Sequence, residues 1–427
     1  MLVLYQAIAF VTYQAFTNYP LNILADFYGG AQKVSMIYSI CGVVGILIQL
    51  CLGSVLGKLK SIKNFSLILG AVTLILGFGI MTIPPSNLGL WSVCYGVEIV
   101  VSMMYATFTV SILVGQWFPT RKGTIMGIAT CAFPIANGLL GPFSSKIFGQ
   151  GPENAVGNVF SAFLPFFIVF VIGWLIGVIF IKDFPEQCGA YRDNDKSLTP
   201  EIARKMMEQE IEDRKTTVWR LGQLLSTLDF WLITVPMGAL LMVAVGMMTQ
   251  TNAIVASFGG NYGQIMGMVM IFGLIGSYVL GLIDTKFGTK VSMMIAVVMI
   301  VIAGILGMIG SSATITLAMI FVALFMGASS NYTVSGAMQY WRREDFPSVY
   351  ATVNPVANIL CNIGPMAVGA MIGAGLGPKG VFTFALVVGI IAVICMLLFR
   401  PSRIKEKDDR LRKAAGKPVD NALANRK

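Results

Sequence analysis

Twelve apolar stretches punctuate this chain, near 2–23, 34–57, 65–83, 89–115, 124–148, 159–181, 229–251, 262–283, 290–310, 313–339, 349–373 and 380–399. Each is about 20 residues long, the length a helix needs to cross a hydrocarbon layer about 30 Å thick. A backbone inside lipid must satisfy its own hydrogen bonds, so the stretches are predicted as transmembrane helices and the fold as an all-α membrane protein. With 56% of its residues hydrophobic and 12% charged, the chain has too much apolar length to bury in one soluble core.

The second half repeats the first. Thr109-Val110-Ser111 with Trp117 reappears as Thr333-Val334-Ser335 with Trp341, and Pro134-Ile135-Ala136-Asn137 reappears as Pro355-Val356-Ala357-Asn358. Gly53-Ser54-Val55-Leu56-Gly57 is answered, with one residue added, by Gly276-Ser277-Tyr278-Val279-Leu280-Gly281. A period of about 220 residues is too long for a solenoid and points to a duplicated domain. The predicted organisation is two pseudo-symmetric six-helix bundles, 1–181 and 229–400, joined by a charged linker, 182–228, and followed by a basic tail, 401–427. In the linker, Thr199-Pro200-Glu201 provides a cap, a first-turn proline and a first-turn acid, which predicts a short amphipathic helix. The tail is expected to be a frayed helix or disordered, because it is charged and poor in apolar residues.

Basic residues concentrate in cytoplasmic loops. With the N-terminus inside, only Lys33, Lys146 and Lys379 of the 30 Lys and Arg residues fall outside. Both termini are therefore expected in the cytoplasm, in a multi-pass protein of the cell membrane. The first stretch has neither a basic leader nor a small-residue cleavage site, so it reads as a span and not a signal peptide. The net charge of +10 is then a topology signal, and with no basic groove of interleaved aromatics no nucleic-acid partner is expected.

The chain has seven cysteines without a CxxC pair and no histidine. That removes zinc sites, disulfide frameworks and imidazole chemistry, so no catalytic residue, metal or cofactor is expected. Gly53 and Lys58 do not have phosphate-loop spacing. A transport role, were it the task of this chain, would have to draw on a gradient.

Glu98 carries the sharpest chemistry. It lies nine residues into the fourth stretch counting from Gly89, roughly 13 Å down a helix axis and close to the bilayer midplane. All other acids fall in loops, span ends or the tail, and no Lys or Arg shares its depth. An isolated charge is strongly disfavoured there, which makes Glu98 a proton-coupling candidate; as a bland alternative, it is a neutral acid bonded to a neighbouring helix. Its repeat-related residue is Val322, so its role belongs to one half only. Amides and phenols supply the substrate-binding candidates. In the first span Gln6, Gln14, Asn18 and Asn22 fall at four-residue multiples beside Tyr5, Tyr13 and Tyr19. Later come Tyr105, Asn137, Gln250, Asn331 and Tyr332, and then Asn354, Asn358 and Asn362 on one face of a span interrupted by Pro355 and Pro365. Helix packing is the competing reading for these amides.

These features resemble the major facilitator superfamily over essentially the whole chain. The loop GLIDTKFGTK is similar to that family's loop motif through Gly281, Asp284, Lys286, Gly288 and Lys290, with Gly53 and Gly57 at the matching first-half loop. The loop Gln116–Gly123, which contains Arg121, resembles that of the oxalate and formate antiporters and the monocarboxylate carriers. The resemblance implies the major facilitator fold, alternating access, a small-molecule substrate with protons, function as a monomer, and gating roles for the loop residues, Arg342 among them. Gly57 stands where the family has an aspartate, and neither the eighth nor the eleventh span has the basic residue expected of a dianion carrier. A monoanion, an acid carried with its proton or a neutral polar solute fits better than oxalate. Two alternatives are a proton-driven exporter of amphipathic drugs, suggested by the 25 methionines, and a substrate sensor that does not transport.

Overall fold

The computed structural model describes residues 1–18, 20–21, 24–25, 27–56, 61–118, 125, 128–132, 134–135, 155–191, 201–202, 205, 217–342, 345–417 and 419. In the first half α1, Leu2–Tyr13, runs on as a π-helical turn over Gln14–Asn18 and is followed by α2, Ala31–Leu56, and α3, Ile62–Thr82. Helix α4, Leu88–Ser102, passes through a second π-helical segment, Met103–Thr109, into α5, Val110–Trp117; α6 is Ala155–Phe180. The second half begins with α7, Leu221–Leu225, α8, Leu228–Met248, α9, Thr251–Ala256, α10, Tyr262–Phe287, and α11, Thr289–Ile309. It ends with α12, Ser312–Ser329, α13, Tyr332–Tyr340, α14, Phe346–Gly373, α15, Gly377–Leu398, and α16, Pro401–Ala414. Among the described residues nine segments are long and apolar enough to cross a membrane, and Leu2–Thr17 and Phe166–Phe180 are shorter apolar helices. Most of the stretch at 124–148 and of the amphipathic helix expected in the linker lies outside the described residues.

In the first bundle the register of three helices is fixed by polar and glycine contacts. Tyr5 of α1 meets Ser66 of α3 at 3.3 Å, and Phe16 packs on Gly77, so α1 and α3 run parallel. Helix α4 runs against them: Trp91 Nε1 donates to the Ile80 carbonyl at 3.2 Å and Cys94 Sγ to the Leu76 carbonyl at 3.3 Å. The apolar core of this bundle is split. One cluster holds Phe16, Tyr28, Ile80, Trp91, Tyr95 and Ile99, and another holds Leu2, Tyr5, Phe10, Tyr105, Val110 and Leu113. Glu98, Thr73 and Ser102, all fully buried, lie at the level where the two clusters part. The second bundle has one continuous core running from Trp219 to Ile404, and it includes Val322. A buried carboxylic acid interrupts an apolar core where a valine continues one.

The face that carries the start of α1 and the end of α15 is here the terminal face. There Asp183 caps α3, accepting from Lys63 N at 2.8 Å and from Ser61 Oγ at 2.6 Å, which ties the start of the linker to the bundle. The tail differs from the frayed or disordered segment expected of its composition. Helix α16 docks against the second bundle through Ile404, Asp408 and Arg412, all buried. Asp408 accepts from Arg342 Nε at 2.7 Å, from Trp219 Nε1 at 2.9 Å and from Arg412 Nε at 3.1 Å. Arg412 Nη2 donates to Asp345 at 2.6 Å, and Asp345 also accepts from Val218 N and Thr217 Oγ1. Four buried charges thus join the end of the linker, the α13–α14 turn and the tail.

Candidate functional site

The two bundles meet along α2 and α14. On α14 the asparagine face forms a ladder within its own helix: Asn358 Nδ2 donates to the Asn354 carbonyl at 2.8 Å and Asn362 Nδ2 to the Asn358 carbonyl at 2.8 Å. Asn354 Oδ1 also accepts from Thr333 Oγ1 at 3.4 Å. The top of the ladder reaches the other bundle, because the Asn362 amide fills the space over Gly42 of α2, where a side chain could not be added. Two turns further, Ser35 Oγ accepts from Gln250 Nε2 at 2.6 Å and lies over Gly369, while Gln32 meets Gly373. Small residues let the helices approach closely. The bundles are therefore closed on one another at the face opposite the termini.

Deeper in, Thr130 Oγ1 donates to Asn331 Oδ1 at 3.3 Å and Pro134 packs on Gly273, again from one bundle to the other. The hydroxyls of Tyr13 and Tyr38 are 3.2 Å apart, with Cys361 of α14 close by. Phenols, amides and hydroxyls thus line the contact. Among the described residues no Lys or Arg lies deep in a span.

The residues singled out from sequence divide between this interface and the bundle interiors. Gln250, Asn331, Asn354 and Asn358 are at or beside the contact between bundles. Tyr5 and Tyr105 are not: they pack edge to face at 6.0 Å inside the first bundle, against Ser66 and Gly70. Tyr332 is inside the second bundle, its hydroxyl 2.8 Å from Ser292 Oγ. Gln14 is buried in the first π-helical turn and Asn18 closes that turn. Asn137, Arg121 and Gly57 lie outside the described residues, and Gly53 is near the end of α2.

Among the loop residues, Asp284 Oδ1 accepts from Thr289 Oγ1 at 2.7 Å, and Gly288 turns the chain between α10 and α11 at φ 86°. A β-carbon at Gly288 would strike the Gln339 amide, whose oxygen accepts from Thr289 N at 2.7 Å. Lys286 is exposed. Arg342 is held by the tail and faces Asp408, a partner that spacing along the sequence does not suggest.

Sequence reasoning missed Ser35, Tyr38 and Thr130 as polar contacts and Thr73 as a buried hydroxyl. Only Ser35-Ser39-Gly42 had a readable signal, small residues at helical spacing. Glu98 is buried, with neither carboxyl oxygen hydrogen-bonded among the described residues, and the Thr73 hydroxyl is likewise unpartnered.

The model of the major facilitator superfamily matches residues 108–367 and 221–426, well over half of the chain. The chain belongs to the major facilitator superfamily. It is accordingly a multi-pass membrane transporter and not an enzyme. Solved structures agree on the fold. The proton:xylose symporter XylE bound to 6-bromo-6-deoxy-D-glucose aligns over 93% of this chain and 94% of its own, at 13% identity and a TM-score of 0.68. A partially occluded inward-open form of the xylose transporter XylE from E. coli aligns over 93% and 96%, at 14% identity and 0.63. A bacterial homologue of the human drug peptide transporters PepT1 and PepT2 aligns over 96% and 97%, at 13% identity and 0.60. At these identities the likeness of this major facilitator protein to them is one of fold. No curated protein matches it in sequence.

Proposed function

We propose that this major facilitator protein is a secondary active transporter that moves a small carboxylate, as a monoanion or with its proton, by rocking its two bundles about a midplane site. Glu98 is the proton-coupling residue. The terminal face is cytoplasmic, and the protein works as a monomer. The observation that carries the reading is Glu98 itself, a buried acid between two apolar clusters without a hydrogen-bond partner among the described residues. An ion there lacks both solvent and counter-charge, so a proton must accompany it through at least part of the cycle. The uncharged lining of hydroxyls and amides can orient a carboxyl group and supplies no fixed cation for a dianion. The resemblance of the loop Gln116–Gly123 to that of carboxylate carriers supports the substrate class.

The test is proton movement in proteoliposomes loaded with a pH-sensitive dye, while monocarboxylates, dicarboxylates, amino acids and cationic drugs are added in turn. Wild type is expected to move protons with monocarboxylates, and Glu98→Gln to lose that coupling. Solute flux with no proton movement, or proton movement unchanged in Glu98→Gln, would make Glu98 structural and exchange the mechanism. Response to cationic drugs alone would replace the substrate class.

A further inference from the structure

The buried acid has a direction built around it. Helices α1 and α3 run parallel with Tyr5 beside Ser66 and Phe16 beside Gly77, and α4 runs against α3 with Trp91 bonded at Ile80 and Cys94 at Leu76. One turn beyond Cys94, that register brings Glu98 opposite Thr73. Both side chains are fully buried, and neither the Glu98 oxygens nor Thr73 Oγ1 has a hydrogen-bond partner among the described residues. Two orphaned polar groups on facing helices, not bonded to one another, form the kind of site that holds an internal water. The second bundle provides an internal control. Val322 stands in place of Glu98, and the matching helix α11 turns Met293, Ala296, Val297, Ile300 and Ala303 to an uninterrupted core.

The two sides of the Glu98 level differ. Toward the face opposite the termini, Tyr28 stacks on Trp91 at 4.1 Å and Trp91 on Tyr95 at 5.0 Å. Each of these rings commits its polar atom to a backbone carbonyl, Tyr28 to Ile83 and Tyr95 to Thr17 at 2.6 Å, and Trp91 to Ile80 at 3.2 Å. That side is an aromatic plug with no spare donor. Toward the terminal face, Thr73 is followed along α3 by Gly70, on which the Tyr105 ring rests. The Tyr105 ring packs edge to face on Tyr5 at 6.0 Å, and Tyr5 meets Ser66 at 3.3 Å, one turn from the α3 terminus. This is a line of hydroxyls.

We propose that Thr73 and Glu98 share an internal water, and that Ser66, Tyr5, Tyr105 and Thr73 form the path by which Glu98 exchanges its proton with the terminal face. The proton enters from bulk water at that face and passes along the hydroxyls and then the shared water, each accepting one proton and giving up its own. It ends on a Glu98 carboxylate oxygen and leaves by the reverse steps. Thr73 is the last hydroxyl of the relay and holds the water; it does not touch the cargo. The buried or half-buried titratable groups on the elements around Glu98 include Cys94 and Tyr95 on α4, Tyr5 and Tyr13 on α1, Tyr105 on the second π-helical segment, and Tyr38 and Cys41 on α2. No described Lys, Arg, Asp or Glu faces it.

This inference rests on Glu98 carrying a proton, and infrared difference spectroscopy of the reconstituted full chain separates the two. The carboxylic-acid C=O band that disappears in Glu98→Gln belongs to Glu98. In Thr73→Val, of nearly equal volume, that band is expected to shift up in frequency and its H/D exchange to slow about tenfold, the factor that one ordinary hydrogen bond represents. Thr73→Ser is expected to restore both. Tyr105→Phe should slow the exchange and Tyr95→Phe should not. A Glu98 band that is present but unmoved in Thr73→Val overturns the Thr73 site alone. Slowing by Tyr95→Phe and not by Tyr105→Phe overturns the direction of the path. If no band is lost in Glu98→Gln, proton carriage itself fails, and this path with it.

Discussion

Replacing Asp408 with alanine should release the tail helix without unfolding the protein. Asp408 is buried and accepts from Arg342, Trp219 and Arg412 at 2.7 to 3.1 Å, so its loss takes the close partner from the buried Arg342 guanidinium and the Trp219 indole N–H and leaves Arg412 with Asp345 alone of its two carboxylates. Removing one partner of a buried charge pair costs about 3–5 kcal/mol. Helix α16 docks through the buried side chains Ile404, Asp408 and Arg412, so it can lift away and rehydrate these groups, and the cost appears as local opening. At about 1.4 kcal/mol per factor of ten, the lower end of that range corresponds to at least a hundredfold loss of protection. Hydrogen exchange of the α16 amides reads this directly, and trypsin cleavage at Arg403 and Arg410 should accelerate in parallel. Arg410→Ala is the control: its side chain is 81% exposed and its pair with Glu406 is 3.9 Å long, an arrangement worth about 0–1 kcal/mol. Equal protection of α16 in wild type and Asp408→Ala would refute the reasoning, and so would a loss as large in Arg410→Ala.

Two further outcomes follow from packing at the face opposite the termini. Gly42→Leu should prevent closure of α2 on α14, because its side chain needs the volume that Asn362 fills; spin labels at positions 32 and 373 should move apart, and an unchanged distance distribution would show that the seam does not need glycine. Tyr28, in the turn before α2, donates to the Ile83 carbonyl, and burial pushes its hydroxyl from 10.0 up to about 12. A group whose folded pKa is raised contributes stability that is intact below the unfolded pKa and lost as pH rises through the folded one. Stability should therefore fall between pH 10.0 and about 12, and Tyr28→Phe should flatten that part of the profile in a thermal-shift series.

Much of this molecule is legible in its sequence because membrane insertion is a local matter. A run of about 20 apolar residues declares a span wherever it occurs, the duplicated motifs declare two bundles, and the solitary depth of Glu98 follows from counting along one helix. Contacts between helices are another matter. In lipid, the face of a helix that meets protein and the face that meets hydrocarbon are both apolar, so periodicity does not say which way a residue points. That is why Tyr5 and Tyr105 read like Tyr13 and Tyr38, although the first pair lines the interior of one bundle and the second lies near the α14 contact. The tail misled for a related reason. Its charges looked solvated because the groups that pair with them, Arg342 and Asp345, lie more than 60 residues away in the chain. Sequence by itself determined the spans, the duplication and the one acid that lipid cannot solvate. Only the tertiary structure decided the register of α1, α3 and α4, which places Thr73 opposite Glu98, aromatic rings on one side and hydroxyls on the other.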